Sequence, residues 1–342
     1  MAVEISALKT LPELLEKVAD KKVIYVGETH DRFAHHLMQL EIIKELHQRG
    51  KKVAIGMEMF QRPFQKGIDD YIAGRSDERG FLRSTEYFQR WRFDYNHYRP
   101  ILQFARTAKI PVIALNAPRE ITDRISQGGL EALSADEKKG VSAQLDFSDE
   151  AYRERLKKIF DEHKEFGTRN FELFYQVQVV WDETMAESID AFLKGNPDSQ
   201  MVVLAGSGHL AFGSGIPQRA WRRNGHAYAV ILNDGPAERG AAAFVLFPGA
   251  VPFEGSPKLM VFLRDEKSRV IIESFSEGSV SEKAGLQKGD IILSIDETPV
   301  QCFEDVRLEM VFKTKGDPVQ VKIQRKSSSG EEKEMLFTVI PQ

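Results

Sequence analysis

The sequence predicts an α/β fold, a mainly parallel sheet covered by helices with a helical cap insertion, followed by a small β-rich domain. Short apolar runs alternate with helical patterns over most of the first 248 residues, and each run ends in a polar signature. The alternation stops at Pro248–Pro257, a stretch that also contains Gly249, Pro252, Gly255 and Ser256. A chain of 342 residues suits two domains, here 1–248 and 258–342 with a linker over 249–257.

Thr10 with Glu13 three residues on and Pro12 in the first turn reads as a capping box that opens a helix over Leu11–Ala19. Val23–Val26 is the first strand, and a helix over Arg32–Arg49 stops at Gly50. Val53–Met57, Ile110–Leu115, Met201–Ala205 and Tyr228–Leu232 are the next four strands, and Ala242–Phe247 adds an edge strand. Several short helical segments fill Phe64–Ala108, and two longer helices, Ser148–His163 and Asn170–Lys194, precede the fourth strand; these insertions form the cap. Beyond the linker, Lys258–Leu263, Val270–Glu273, Asp290–Ile295, Val319–Gln324 and Met335–Ile340 read as strands, with a helix around Phe303–Lys313 and a hairpin tip at Lys326–Lys333.

A net charge of −4 with interleaved signs gives no footprint for nucleic acid. The single cysteine, Cys302, excludes an internal disulfide framework and a cysteine-based metal cluster. No apolar run approaches the roughly 20 residues that span a bilayer. Met1–Asp20 lacks the pattern of a secretory signal. The expected location is therefore cytoplasmic, or periplasmic or membrane-anchored if an N-terminal signal has been removed. There is no Gly-x-Gly-x-x-Gly, Walker-type loop or nucleophile elbow, so no nucleotide cofactor is expected.

Two Gly-x-x-His motifs, Gly27-Glu28-Thr29-His30 and Gly206-Ser207-Gly208-His209, each close a predicted strand. In parallel sheets the turns at the carboxyl ends of the strands converge on one crevice, so both histidines are expected in one polar site. Glu58 follows the second strand, Asn116 and Arg119 the third and Asn233 the fifth. Carboxylate and imidazole together suit proton transfer, which makes Glu28, His30, Glu58 and His209 candidate catalytic residues. His30, Glu58 and His209 are equally a three-ligand metal set with one position open to water.

His35 and His36 lie near the same end of the sheet, either in the site or packed on their helix, and Asp31 suits that helix's N-cap. Asp182 interrupts the apolar stripe of its helix, where it orients a site histidine or satisfies a loop backbone. Arg119 holds an anionic group or pairs with Glu28 or Glu58. The stretch Tyr87–Tyr98, rich in aromatics, walls a pocket for a flat ligand or packs the cap.

These residues resemble the ChaN-like, haem-binding-uptake branch of the Tiki superfamily. Gly27–Asp31, His35-His36, Gly56–Phe60, Ala114–Arg119, Trp181–Ala186, Gly206–His209 and Gly215–Pro217 carry the likeness across most of residues 20–248. It implies haem or iron bound between two monomers, hence a homodimer, through a tyrosine for which Tyr95, Tyr98 and Tyr175 are candidates. Distant relatives imply a metal-dependent hydrolase, peptidase- or esterase-like, on His30, His209 and Glu58. The tail resembles a bacterial PDZ domain of the kind appended to HtrA-type proteases, on Glu277–Ile292. That resemblance implies capture of a peptide or protein C-terminus along Leu259, Met260, Val261 and Phe262, facing Val306 and Met310. Three readings stay open: a haem or divalent-metal binder, a hydrolase, and an adaptor.

Overall fold

Aliphatic runs without polar alternation belong in strands buried on both faces. In the computed structural model they form Val23–Glu28 (β1), Val53–Gln61 (β2), Val112–Asn116 (β3), Gln200–Gly206 (β4), Tyr228–Asn233 (β5) and Phe244–Leu246 (β6). The structure describes residues 9–162, 170–236, 238–327 and 330–342. The chain divides into two units, one running to Trp91 and again from Tyr98 to Pro252, the other comprising Arg92–His97 and Phe253–Gln342.

The first unit holds one sheet in the order β3-β2-β4-β1-β5-β6, with every pair parallel. β1 is central, so residues after its carboxyl end sit beside those after β4 and β5. Helices cover the sheet. Met185, Ile189 and Leu193 of the helix Phe171–Gly195 pack with Tyr25, Met201, Val203 and Leu232 in one buried cluster. The cap between β2 and β3 is a series of short helices, Gln65–Ile72, Glu78–Ser84, Tyr87–Arg90 and Arg99–Ala108. At the amino end, Glu13 accepts from the Thr10 amide at 2.8 Å and starts the helix Leu11–Val18. The predicted helix over Ser148–His163 is observed as Glu150–Glu162; His163 lies outside the described residues.

In the second unit, Val261–Asp265 (β7), Val270–Phe275 (β8), Ile291–Ile295 (β9), Thr298–Pro299 (β10), Val319–Lys326 (β11) and Glu332–Val339 (β12) make an antiparallel sheet. Its order is β12-β11-β9-β8-β7, with β10 against β9. Val270, Ile272, Ile292, Val321 and Ile323 pack with the helix Phe303–Met310. Part of the predicted hairpin tip, Ser328 and Ser329, lies outside the described residues.

β7 starts three residues later than predicted. Lys258 exchanges backbone hydrogen bonds with Gln342, and Met260 turns the chain at φ 58° before the strand begins. Leu259 therefore joins the core instead of the edge strand, alongside Val306 and Met310. Val261 and Phe262 do lie on β7, with Phe262 exposed. No helix among the described residues is long and apolar enough to cross a membrane.

Candidate functional site

The register of β1 against β4 pairs Glu28 with Gly206, which sets the ends of the two Gly-x-x-His strands side by side. The glycines make this approach feasible. A Cβ at Gly27 would stand 2.6 Å from Leu232 Cδ2 and 2.9 Å from Ser207 Oγ. One at Gly206 would stand 3.1 Å from Cε1 and 3.2 Å from Nε2 of His30, and 3.7 Å from Glu58 Oε2. Gly206 therefore lies against both His30 and Glu58, and a side chain there would have to shift the His30 ring by a few tenths of an ångström.

Each histidine is backed by its own buried carboxylate. His30 Nδ1 is 2.7 Å from Glu28 Oε1, and His209 Nδ1 is 2.7 Å from Asp182 Oδ1. Glu28 and Asp182 are almost fully buried, and a buried carboxylate is costly unless partnered. Glu28 also has His36 Nδ1 at 2.7 Å from its second oxygen and accepts from the Tyr98 hydroxyl at 3.2 Å. The contact with His36 is close enough for an ion pair, and its pull on Glu28 is chiefly coulombic. Asp182 accepts from the hydroxyl of Tyr152.

Glu58 joins the two pairs. The β2–β3 register slips between Met57 and Gln61, and this irregularity takes Glu58 out of the regular ladder. Its Oε2 accepts from the Gly206 amide at 2.7 Å, while Oε1 stands 3.6 Å from His209 Nε2. Asn116 braces the same turn, donating to the Glu58 carbonyl at 3.0 Å and accepting from the Ala117 amide at 2.8 Å.

Burial alone would raise the pKa of Glu28, but His36 and His30 more than reverse this and hold it at about 2. Burial would lower that of His209, yet Glu58 and Asp182 bring it up to about 9. Burial likewise opposes the charged form of His30; Glu28 and Glu58 outweigh it, so its pKa is raised although His209 pushes the other way. Burial, reinforced by Glu28, lifts the Tyr98 phenol well above its ordinary range.

The structure thus brings Glu28, His30, Glu58, His209, His36, Asn116, Asp182 and Tyr98 together. His35, Arg119 and Tyr95 stand apart from this chemistry. His35 accepts from the Thr29 amide at 3.0 Å and donates to Asp234 at 2.9 Å, fastening the loop that carries His30. Arg119 opens the helix Arg119–Gly128, where it pairs with Asp123 one turn on and donates to the Gln89 carbonyl, and reaches neither Glu28 nor Glu58. Tyr95 is fully buried and groups with the second unit. Asp31 is not the N-cap of the helix Phe33–Gln48; Arg32 occupies that position.

Of the expected metal set, His209 Nε2 stands 3.6 Å from Glu58 Oε1, and His30 and Glu58 both lie against Gly206. Among the described residues no group of three or more histidines, cysteines or carboxylates is arranged to hold a metal ion. Both Nδ1 atoms are engaged by carboxylates, which leaves the Nε2 atoms and Glu58 Oε1 for other partners.

Two aromatic neighbours complete the site, Trp91 from the stretch expected to wall a pocket and Tyr152, which was not foreseen. Trp91 lies edge-on to His30 with ring centroids 5.0 Å apart, and Tyr152 supports Asp182. Tyr152 and Leu156 are the buried positions of the helix Glu150–Glu162, which is otherwise rich in charged residues. An aromatic at such spacing marks the inward face, although its partner cannot be read from it.

The family described as haem-binding uptake, Tiki superfamily, ChaN matches residues 14–220, and the PDZ domain family matches residues 257–335. No curated protein matches the chain. Among solved structures the chain is similar to ChaN of Campylobacter jejuni, described with cofacial heme binding, at 15% identity and a TM-score of 0.57 over 69% of this chain and 91% of that one. That likeness shows a shared fold. The chain also aligns with an erythromycin esterase, EreC, at 16% identity and a TM-score of 0.40, over 65% of this chain and 72% of the other. Its tail aligns with the HtrA3 PDZ domain bound to a phage-derived ligand, at 17% identity and a TM-score of 0.22, over 25% of this chain and 85% of that one.

Proposed function

From the premise that this chain belongs to the haem-binding-uptake (ChaN) family of the Tiki superfamily, we propose that its first unit is a hydrolytic acid–base centre and that its PDZ domain captures peptide C-termini. One observation carries the first half. Two imidazoles, each backed by a buried carboxylate, meet at a third carboxylate, Glu58. In this reading His30, oriented by Glu28, takes a proton from water that attacks an ester or amide carbonyl. His209, held protonated by Glu58 and Asp182, supplies the opposing positive charge and protonates the leaving group.

The test is turnover of a panel of chromogenic esters and amides by the full chain after chelation. Hydrolysis should persist, and His30→Gln or His209→Gln should each lower it by about a hundredfold or more, the usual worth of a positioned acid or base. No turnover of any substrate, or turnover indifferent to both variants, removes the proposal. Loss on chelation with recovery on adding back a single metal removes its metal-free form.

Haem is a second reading, favoured by family membership and by one feature: the side chain of His30 is 26% exposed and its Nδ1 is anchored by Glu28, as suits a residue that would hold the iron. Bound haem would supply iron ligation and redox chemistry there. In this reading His30, not a tyrosine, would hold the iron. Seven of the eight tyrosines are buried; the Tyr98 hydroxyl donates to Glu28 and that of Tyr175 to the Phe147 carbonyl. Haemin titration of wild type and His30→Gln decides this: a saturable absorption band lost in the variant supports the second reading, and a flat titration removes it.

For the second unit, β7 is an edge strand with β8 as its neighbour, the kind of edge to which an extended peptide adds.

A further inference from the structure

A cavity of about 400 Å³ opens in the first unit between the start of the helix Glu150–Glu162 and the stretch from Phe212 to Arg222. None of its lining residues belongs to the acid–base centre. Its three arginines differ in what they hold. Arg222 pairs with Asp146 and with Glu183, and Arg219 pairs with Glu183, whereas Arg155 forms no ion pair among the described residues. The carboxylates on the same wall do not neutralise it. Asp146 is engaged by Arg222 and by the Ser148 hydroxyl, and Asp149 accepts from the Tyr152 amide at the helix start. Glu150 is exposed and, five residues before Arg155, projects about 140° away around the helix.

Ala151 stands one turn before Arg155 on the same helix face, and long helical side chains lean toward the N-terminus, so the guanidinium leans over a methyl group; both residues line the cavity. Two contacts fix its plane. Arg155 donates to Ser214 Oγ, and its guanidinium lies 4.7 Å above the ring of Phe212. Phe212 adopts φ 63°, a region that bulky residues avoid, so the ring is held in place at a cost in strain. Ser214 Oγ is the one hydrogen-bond acceptor of Arg155 among the described residues, which leaves most of the donors of its fork to a ligand. On the same wall Arg219, 3% exposed, spends its terminal nitrogens on the Gly215 and Asp146 carbonyls, while its Nε, 3.3 Å from Glu183, has no hydrogen-bond partner.

We propose that this cavity binds a small monocarboxylate, its two oxygens taken side by side by the Arg155 fork. A planar guanidinium held flat on a ring matches a planar carboxylate, and a cation without a counterion is what a charge-assisted pair requires. The single charge follows from the wall, because a second negative charge would face Asp146 and Asp149.

Calorimetric titration of the full chain with butyrate tests the proposal, with butyramide, butylammonium and inorganic phosphate as comparisons. Saturable one-to-one binding of butyrate is expected, and binding about tenfold weaker or less for each of the other three, the charge-assisted pair being lost or opposed. Arg155→Gln should weaken butyrate binding by about tenfold or more while keeping the wild-type Tm. Ala151→Leu fills the space beneath the guanidinium from an exposed helix position and should abolish binding with the charge intact; it decides the matter if Arg155→Gln fails to fold. His30→Gln should bind as wild type, so failure of the hydrolytic reading leaves this result standing. No saturable binding overturns the proposal, as does undiminished binding to Arg155→Gln or Ala151→Leu, which would put the carboxylate elsewhere, such as on the PDZ domain. Any of the three comparison compounds binding as tightly as butyrate would overturn the carboxylate assignment.

Discussion

At the scale of single residues the site depends on what each imidazole leans on. Asp182→Asn removes a charge that keeps His209 protonated, so the alkaline limb of the hydrolytic pH profile, expected near 9 in the wild type, should move to lower pH. Tyr152→Phe should keep that limb close to 9 because the Asp182 charge remains, while loosening Asp182 and lowering kcat severalfold. pH–rate profiles of the two variants check this, and an unmoved limb in Asp182→Asn would contradict the assigned role. Gly27→Ala asks for space that Leu232 and Ser207 occupy and should cost about 1–3 kcal/mol of stability, read by denaturant titration. The motif histidines were legible in the sequence because a strand end is a recognisable place. Arg119 was misleading for a related reason: a strand end fixes where the backbone goes, and the i,i+4 partner Asp123 then decided where the guanidinium went.

At the scale of elements, alternating apolar runs and helical stretches gave the strands of the first sheet to within a few residues, since burial on both faces leaves a strong compositional mark. The slip in β2 left no such mark. Pairing register is decided by neighbours, and nothing in Met57–Gln61 itself announces that Glu58 leaves the ladder. The start of β7 was misplaced because Met260 adopts a left-handed turn with no glycine to signal it. β7 also supports a prediction. Its amides should gain hydrogen-exchange protection when a peptide with a free C-terminal carboxylate is added, and much less with the amidated peptide. Equal protection by both, or none, would count against strand addition.

At the scale of the whole molecule, the buried charges confine stability to a window of pH. Glu28, with its pKa lowered to about 2, stabilises the fold fully above the ordinary carboxylate value near 4.5, and this contribution fades as pH falls toward 2. His209, with its pKa raised to about 9, contributes fully below 6.5 and loses that contribution as pH rises toward 9. Each is worth on the order of 3 kcal/mol by linkage. Unfolding free energies measured across pH should therefore peak between about 4.5 and 6.5. Glu28→Gln should flatten the acid slope and His209→Gln the alkaline one; slopes unchanged in both variants would show that other groups set the window.

The pairing of Glu28 with Gly206 has a consequence for synthesis. The first histidine leaves the ribosome early, but its companion is encoded some 180 positions later, and β4 must insert between β1 and β2 before the two can meet. A nascent chain halted anywhere in the cap or the long helix carries half of the constellation and none of its chemistry. Proton-transfer capacity is thus withheld from incomplete products by topology alone, and it arises only when β4 has paired with both β1 and β2.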